Sequence, residues 1–155
     1  MKSRDIRRKE RMIDTHEAIK LLQTCEYGVL STIGEDGQPY GVPLNYIYKD
    51  NRIYFHSALT GHKIENIENM PKVSFCVVGR TKVLPEKFST AYESAIAFGT
   101  ATEVQDTEKD AALLLLLKKY SSQFLEEGRK YIDRKGGSAK VIRIDIQHLS
   151  GKARR

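Results

Sequence analysis

The chain of 155 residues contains no tryptophan, only two cysteines and only four prolines. Cys25 and Cys76 form no CxxC pair, and the four histidines form neither an HxxxH motif nor a Cys/His cluster, so no metal site is predicted. The longest leucine run, 113–117, is far shorter than the roughly 20 residues that span a bilayer. A GxSxG elbow, a P-loop and a GxGxxG motif are also missing. These absences argue against membrane, zinc, hydrolase and P-loop functions.

The few cysteines and the lack of an apolar signal-like segment before the first predicted helix lead us to expect a cytoplasmic protein. Its formal net charge of +6 is concentrated at the ends, because residues 1–12 carry +4 and residues 152–155 carry +3. We predict a basic arm over 1–12, one domain over 13–151 and a basic tail over 152–155. Both ends are interpreted as solvated or partner-contacting, and a nucleic-acid binder that uses them is a competing hypothesis.

Local patterns predict a helix followed by antiparallel strands. Asp14 is placed to cap the helix, and the apolar residues that follow recur at helical spacing up to Cys25. Strands are predicted over 27–33, 40–49 and 52–57, joined by short turns into a meander of three strands. Pro43 lacks a backbone donor, so the second strand is expected at an edge or at a bulge.

The rest of the chain adds strands and few helices. The predicted elements are a helix over 60–70, strands over 72–79 and 93–105, a leucine-rich helix over 107–120, a loop with at most a helical turn over 121–138, and a strand over 139–147. About six strands without regular alternation with long helices predict a mainly β protein with flanking helices, built as an antiparallel barrel.

A candidate anion site lies where the third strand gives way to a helix. If Thr60 caps that helix, Gly61, His62 and Lys63 occupy its first turn, where unpaired N–H groups already supply partial positive charge. A cation there costs about 0.3 to 1 kcal/mol, and a bound phosphate reverses the sign. His56 and Ser57 are placed to add donors from the end of the strand. The competing interpretation is that Lys63 points to water and His56 packs as an ordinary strand residue.

Tyrosines are concentrated on the two neighbouring strands. Tyr40, Tyr46, Tyr48 and Tyr54, together with Asn45, suggest a slot for a flat aromatic ligand. Tyrosine also favours half-buried strands, so ordinary strand composition is the alternative explanation. Neither this feature nor the anion site alone identifies a cofactor.

Several stretches in order resemble a known family. They are Tyr-Gly-Val-Leu-Ser-Thr at 27–32, Gly-Val-Pro-Leu-Asn-Tyr at 41–46, Ile-Tyr-Phe-His-Ser-Ala at 53–58, Gly-His-Lys at 61–63 and Phe-Gly-Thr-Ala at 98–101. Each is weak alone, but their order and spacing resemble the FMN-binding split β-barrels related to pyridoxamine 5′-phosphate oxidase, most closely the nitroimidazole-resistance-like branch.

This resemblance implies a homodimer that binds two FMN molecules in clefts between its subunits. The flavin ring would lie along Leu30, Ser31 and Thr32 on one strand and along Pro43, Leu44, Asn45 and Tyr46 on the next. The phosphate would be held by His56, Ser57, Gly61, His62 and Lys63. Phe98 and Gly99 would close the cleft from the partner. His62 is the side chain expected to act on the flavin, and the alternative is that it only contacts the phosphate or caps the helix.

The implied function is an FMN-dependent oxidoreductase that passes electrons from a reduced nicotinamide to a small aromatic acceptor. Vitamin B6 oxidation is not expected, because the chain has no tryptophan and its last residues, 152–155, match poorly the C-terminal segment that binds substrate in those oxidases. A non-catalytic flavin- or haem-binding module is the alternative, and related barrels also bind deazaflavin.

Overall fold

The computed structural model describes residues 4–155, so the first three residues of the predicted basic arm lie outside it. The strands are β1 (Met12–Ile13), β2 (Gly28–Ile33), β3 (Pro39–Leu44), β4 (Ile47–Lys49), β5 (Arg52–Ala58), β6 (Lys72–Leu84), β7 (Ser89–Val104) and β8 (Ala139–Arg154). The helices are α1 (Thr15–Thr24), α2 (His62–Asn69), α3 (Asp106–Tyr120) and α4 (Leu125–Lys135).

All eight strands belong to one antiparallel sheet in the order β3-β2-β6-β7-β8-β5-β4, with β1 paired to β8. The inner face of this curved sheet holds the main core, in which Leu30, Phe55, Phe75 and Ile144 are fully buried and which α1 and α2 help to close. A second, smaller core lies on the outer face, where α3 packs against β4, β5 and β8. The molecule is therefore mainly β with flanking helices, as predicted.

Local sequence signals account for the first elements. The Asp14 carboxylate accepts a hydrogen bond of 2.8 Å from the backbone N–H of Glu17, which confirms the predicted cap of α1. The hairpin of β2 and β3 is also confirmed. Pro43 lies in β3 opposite Val29, and β3 pairs only with β2, so the prediction of an edge strand is confirmed.

The predicted three-stranded meander is wrong. The stretch 40–49 is not one strand but two, because the chain breaks at Asn45–Tyr46 and sends β3 and β4 to opposite ends of the sheet. The cause is a long-range contact: the Tyr46 ring is fully buried, and its hydroxyl donates to the carbonyl of Leu22 at 2.6 Å. Local alternation could not reveal this inward turn.

The later strands are longer than predicted, and one helix was missed. β6 and β7 extend together to a tip at Pro85–Phe88. β8 continues to Arg154, and Arg155 forms an ion pair of 2.8 Å with Glu17, so the prediction of a separate tail over 152–155 is wrong. The predicted loop over 121–138 contains α4. No helix within residues 4–155 is long and apolar enough to cross a membrane.

Candidate anion site and adjoining cavity

The helix that follows β5 begins without a side-chain cap. Its N-cap is Gly61, not Thr60 as predicted, and the Gly61 carbonyl accepts from the backbone N–H of Glu65 at 3.0 Å. Gly61 has φ +141°, a conformation that L side chains rarely adopt, and an added Cβ there would meet nothing within 4 Å. The N–H groups of the first turn therefore have no partner within α2.

Two basic residues, His56 near the end of β5 and Lys63 in the first turn of α2, lie close enough to interact electrostatically. Desolvation by the surrounding protein lowers the pKa of His56, and the positive charge of Lys63 lowers it further. Ser57 is buried, and its hydroxyl donates to the carbonyl of Ala58 at 3.0 Å. Two of the predicted phosphate contacts, His56 and Lys63, are thus close enough to interact electrostatically, and Ser57 follows His56 on β5.

The His62 side chain packs against Tyr40 of the β2–β3 hairpin. Its ring stacks on Tyr40 with centroids 4.0 Å apart, and it borders a depression between α2 and the turn at Gly34–Asp36. Glu65 and Asn66 line the same depression. The structure therefore brings His62 to the β2–β3 hairpin, and its predicted action on a flavin stays a prediction.

The predicted ring-binding residues differ in what they expose. The side chains of Leu30 and Thr32 are buried in the main core, where the Thr32 hydroxyl accepts from the Asn66 side-chain amide at 2.9 Å. Leu44 is half-buried against the same core. Of the other predicted ring-binding residues, Pro43 and Asn45 are exposed, and Ser31 is half-buried on the outer face of the sheet. Contacts from the buried residues are thus limited to their backbone.

Lys119 and Tyr120 hold the break between β3 and β4, a role that sequence reasoning missed. The Lys119 ammonium donates to the carbonyls of Cys25 (2.8 Å) and Tyr46 (2.9 Å) and lies 3.9 Å from the centre of the Tyr46 ring. The Tyr46 N–H donates to the Tyr120 hydroxyl at 2.9 Å. Burial lowers the pKa of Lys119. The end of α3 therefore fixes the backbone that carries Asn45.

The four strand tyrosines do not form one slot. Tyr46 is buried in the main core and Tyr54 in the outer core, where its hydroxyl donates to Glu108 at 2.9 Å. Tyr48 packs against the main core, and Tyr40 stacks on His62. The aromatic slot suggested by their alternation is wrong, because the break after β3 sends these side chains to different places.

Phe98 and Gly99 lie in the middle of β7. Phe98 is on the outer face of the sheet beside His148, with ring centroids 6.2 Å apart. The pairing of β7 with β8 shifts register between Phe98 and Gly99. A Cβ on Gly99 would lie 2.3 Å from the carbonyl oxygen of Asp145, so only glycine fits this crossing.

The outer face of β2, β6 and β7 carries apolar side chains that remain partly in solvent. Val29, Ile33, Ile96 and Phe98 are each 37–38% exposed. Val29 and Ile96 stand on either side of Cys76 in adjacent strands, and Phe98 follows Ile96 on the same face of β7, so these three side chains form a continuous patch. No group of three His, Cys, Asp or Glu side chains within residues 4–155 is arranged to hold a metal ion.

A cavity of about 720 Å³ lies between α3, α4 and the outer face of β5, and we call it the α3–α4 cavity. Its helical walls are apolar and aromatic: Leu113, Leu116, Leu117, Phe124, Tyr131 and Ile132. Its sheet side includes Asn45, His56 and Ser57. Glu127 and Lys135 also line it. The cavity thus adjoins the candidate anion site and was not foreseen, because α4 was not predicted.

The fold is similar to that of known proteins. The family model described as pyridoxamine 5′-phosphate oxidase matches residues 14–153. The chain therefore belongs to the pyridoxamine 5′-phosphate oxidase family, and its sheet is the split barrel that its sequence resembles. Among curated proteins, none matches the chain significantly.

Solved structures show the same fold. A candidate 5-nitroimidazole antibiotic resistance protein from Bacteroides thetaiotaomicron is 24% identical, with a TM-score of 0.78 over 91% of this chain and 85% of the other. A FAD-binding protein from Mesorhizobium loti is 26% identical, with a TM-score of 0.71 over 94% and 98%. A FAD- and heme-binding protein from Mycobacterium smegmatis is 15% identical, with a TM-score of 0.76 over 90% and 71%.

Proposed function

We propose that this protein is an FMN-dependent oxidoreductase that works as a homodimer and passes electrons from a reduced nicotinamide to a small aromatic acceptor. The observation that carries the proposal is the uncapped start of α2 beside Lys63 and His56. Free N–H groups, a lysine in the first turn and a histidine whose pKa is lowered by burial and by that lysine together favour a bound anion. A phosphate dianion would relieve the unfavourable charge at this place.

The chain's residues fit FMN. Phosphate would be bound by Lys63, His56, Ser57 and the N–H groups after Gly61, where there is open space. The ring would lie beside the exposed residues Pro43, on the edge strand β3, and Asn45, which directly follows that strand. When bound, the flavin supplies the electron-transfer chemistry, while the protein orients it and limits access of solvent. The Mesorhizobium protein supports a flavin, and the single phosphate region near Lys63 favours the mononucleotide.

The homodimer is proposed from the apolar patch on β2, β6 and β7. An exposed apolar area of this kind needs a cover, and a second copy related by a twofold axis supplies the same patch in return. Phe98 in this patch would then contact the partner's flavin site. Light scattering after gel filtration tests this: twice the mass of one chain is expected, and a monomer at micromolar concentration contradicts the proposal.

Turnover tests the activity. The flavin-loaded protein should oxidise a reduced nicotinamide when a nitroaromatic or a quinone is added, with stoichiometric reduction of the acceptor. Flavin binding without turnover of either acceptor would favour the second candidate, a flavin- or haem-binding module. That candidate is supported by the similarity to a FAD- and heme-binding protein.

The pKa of His56 is expected to rise when FMN binds. Without ligand, burial and Lys63 disfavour the protonated ring, and a nearby phosphate dianion reverses the electrostatic balance. Titration of the histidine C2 protons by NMR, with and without FMN, measures the change. His16 on α1 serves as the reference in the same spectra. A titration curve of His56 that FMN leaves unchanged would place the phosphate elsewhere.

A further inference from the structure

The α3–α4 cavity has the features of a small-molecule site rather than of a packing defect. Its volume of about 720 Å³ falls within the range of roughly 300 to 1,000 Å³ that small-ligand pockets occupy. Its walls are mainly leucine, isoleucine and aromatic side chains, and a few polar groups converge on the sheet side. This combination binds apolar ligands and orients them by a few hydrogen bonds.

Two aromatic rings at the cavity are unusually exposed. Phe124 and Tyr131 each leave 59% of their surface in solvent, although both line a concave wall. Phe124 lies in the connection between α3 and α4, and Tyr131 lies on α4. A planar ligand lying against these rings would bury apolar surface and gain stacking contacts. The exposed rings therefore indicate a flat aromatic occupant.

The position of the cavity relates it to the flavin site. Asn45, which is assigned to the ring, and His56 and Ser57, which are assigned to the phosphate, all line it. A molecule held against Phe124 and Tyr131, on the helical side of the cavity, would thus lie beside the flavin. Lys119 and Tyr120 fix the backbone next to Asn45, so this wall is held in place by α3 itself.

We propose that the α3–α4 cavity binds the planar aromatic reaction partner of the protein, a molecule of about the size of a naphthoquinone, and that Phe124 and Tyr131 determine its affinity. This inference rests on the flavin site proposed above. Phe124 and Tyr131 are specificity-determining residues in this arrangement, since they contact the aromatic molecule and not the flavin phosphate.

The experiment measures equilibrium binding of 2,3-dimethyl-1,4-naphthoquinone to the flavin-loaded protein by dialysis. Both carbon atoms of the quinone double bond in this probe carry methyl groups, so the thiols of Cys25 and Cys76 have no free quinone position to add to. Phe124→Ala and Tyr131→Ala should each raise its Kd about tenfold, because each removes an aromatic contact and its buried area. Phe88→Ala is the matched control, since Phe88 is 97% exposed at the β6–β7 tip and does not line the cavity.

The dissociation constant of FMN is measured in the same variants. We expect it to stay within about twofold of the original protein, which separates the cavity from the cofactor site. Unchanged probe binding in both cavity variants overturns the inference, and so does a parallel loss of FMN, because the cavity would then belong to the cofactor. Failure of the original protein to bind FMN would instead contradict the proposed function. Both replaced side chains are exposed, so the variants should fold.

Discussion

Replacing Lys63 with alanine is expected to weaken FMN binding by about ten- to a hundredfold, the cost of losing one hydrogen bond to a charged group. The same change should leave the ligand-free protein as stable as before or more stable by a few tenths of a kcal/mol. The reason is that a cation in the first turn of α2 opposes the helix dipole when no anion is bound. Isothermal titration with FMN and urea unfolding measure the two effects.

These opposite signs distinguish a ligand contact from a structural one. Lys20→Ala is the matched control, because Lys20 is an exposed lysine on α1 and should change neither quantity. His62→Ala separates the two residues that the sequence grouped together. Its ring lies against Tyr40, so we expect FMN affinity much closer to that of the original protein. Equal affinity of Lys63→Ala and the original protein would exclude the start of α2 as the phosphate site.

Replacing Gly99 with alanine is expected to destabilise the protein by roughly 2 to 3 kcal/mol, the upper part of the range for overpacked sites. The added methyl would lie 2.3 Å from the Asp145 carbonyl oxygen and 2.8 Å from the Ile144 side chain. The nearest obstacle is backbone, so relief requires β7 and β8 to separate where their register shifts. Unfolding in guanidinium measures the loss.

Gly137→Ala provides the control for Gly99→Ala. Gly137 has no atom within 4 Å of an added Cβ and no positive φ, so its replacement should change the free energy of unfolding by less than about 0.5 kcal/mol. Similar stability of the two variants would show that the β7–β8 crossing is looser than its geometry indicates. Steric fit would then not require glycine at position 99, and only its predicted contact with the ligand would remain.

The parts of the fold that local chemistry determines could be predicted. The cap by Asp14, the hairpin of β2 and β3, and the edge position of Pro43 each depend on residues close in sequence or on one backbone donor. The separation of β3 from β4 could not, because it depends on Tyr46 contacting Leu22 and Lys119, which are distant along the chain. Alternating tyrosines therefore looked like one continuous strand.

The helix α4 and the candidate site show the same difference between features set by nearby residues and features set by contacts that are distant along the chain. α4 has only Leu125 and Ile132 as partly buried apolar residues among mostly charged ones, and glycine at its interior position 128 lowers helix propensity, so the sequence alone indicates a loop. The anion site at the start of α2 is predicted from an unfavourable charge pattern that needs no tertiary information, although the predicted cap, Thr60, is one residue before the observed one. The direction of His62 and the existence of the α3–α4 cavity depend on how separate elements pack, and local patterns do not contain that.

The visible absorption spectrum of the purified protein, recorded before and after incubation with FMN and removal of the free cofactor, tests the flavin assignment most directly. We expect a yellow protein that bleaches on reduction. It should retain about one FMN per chain, because each chain has one α2 start at which the phosphate would bind. A colourless protein that takes up no FMN would contradict the assignment, however well its fold matches the family.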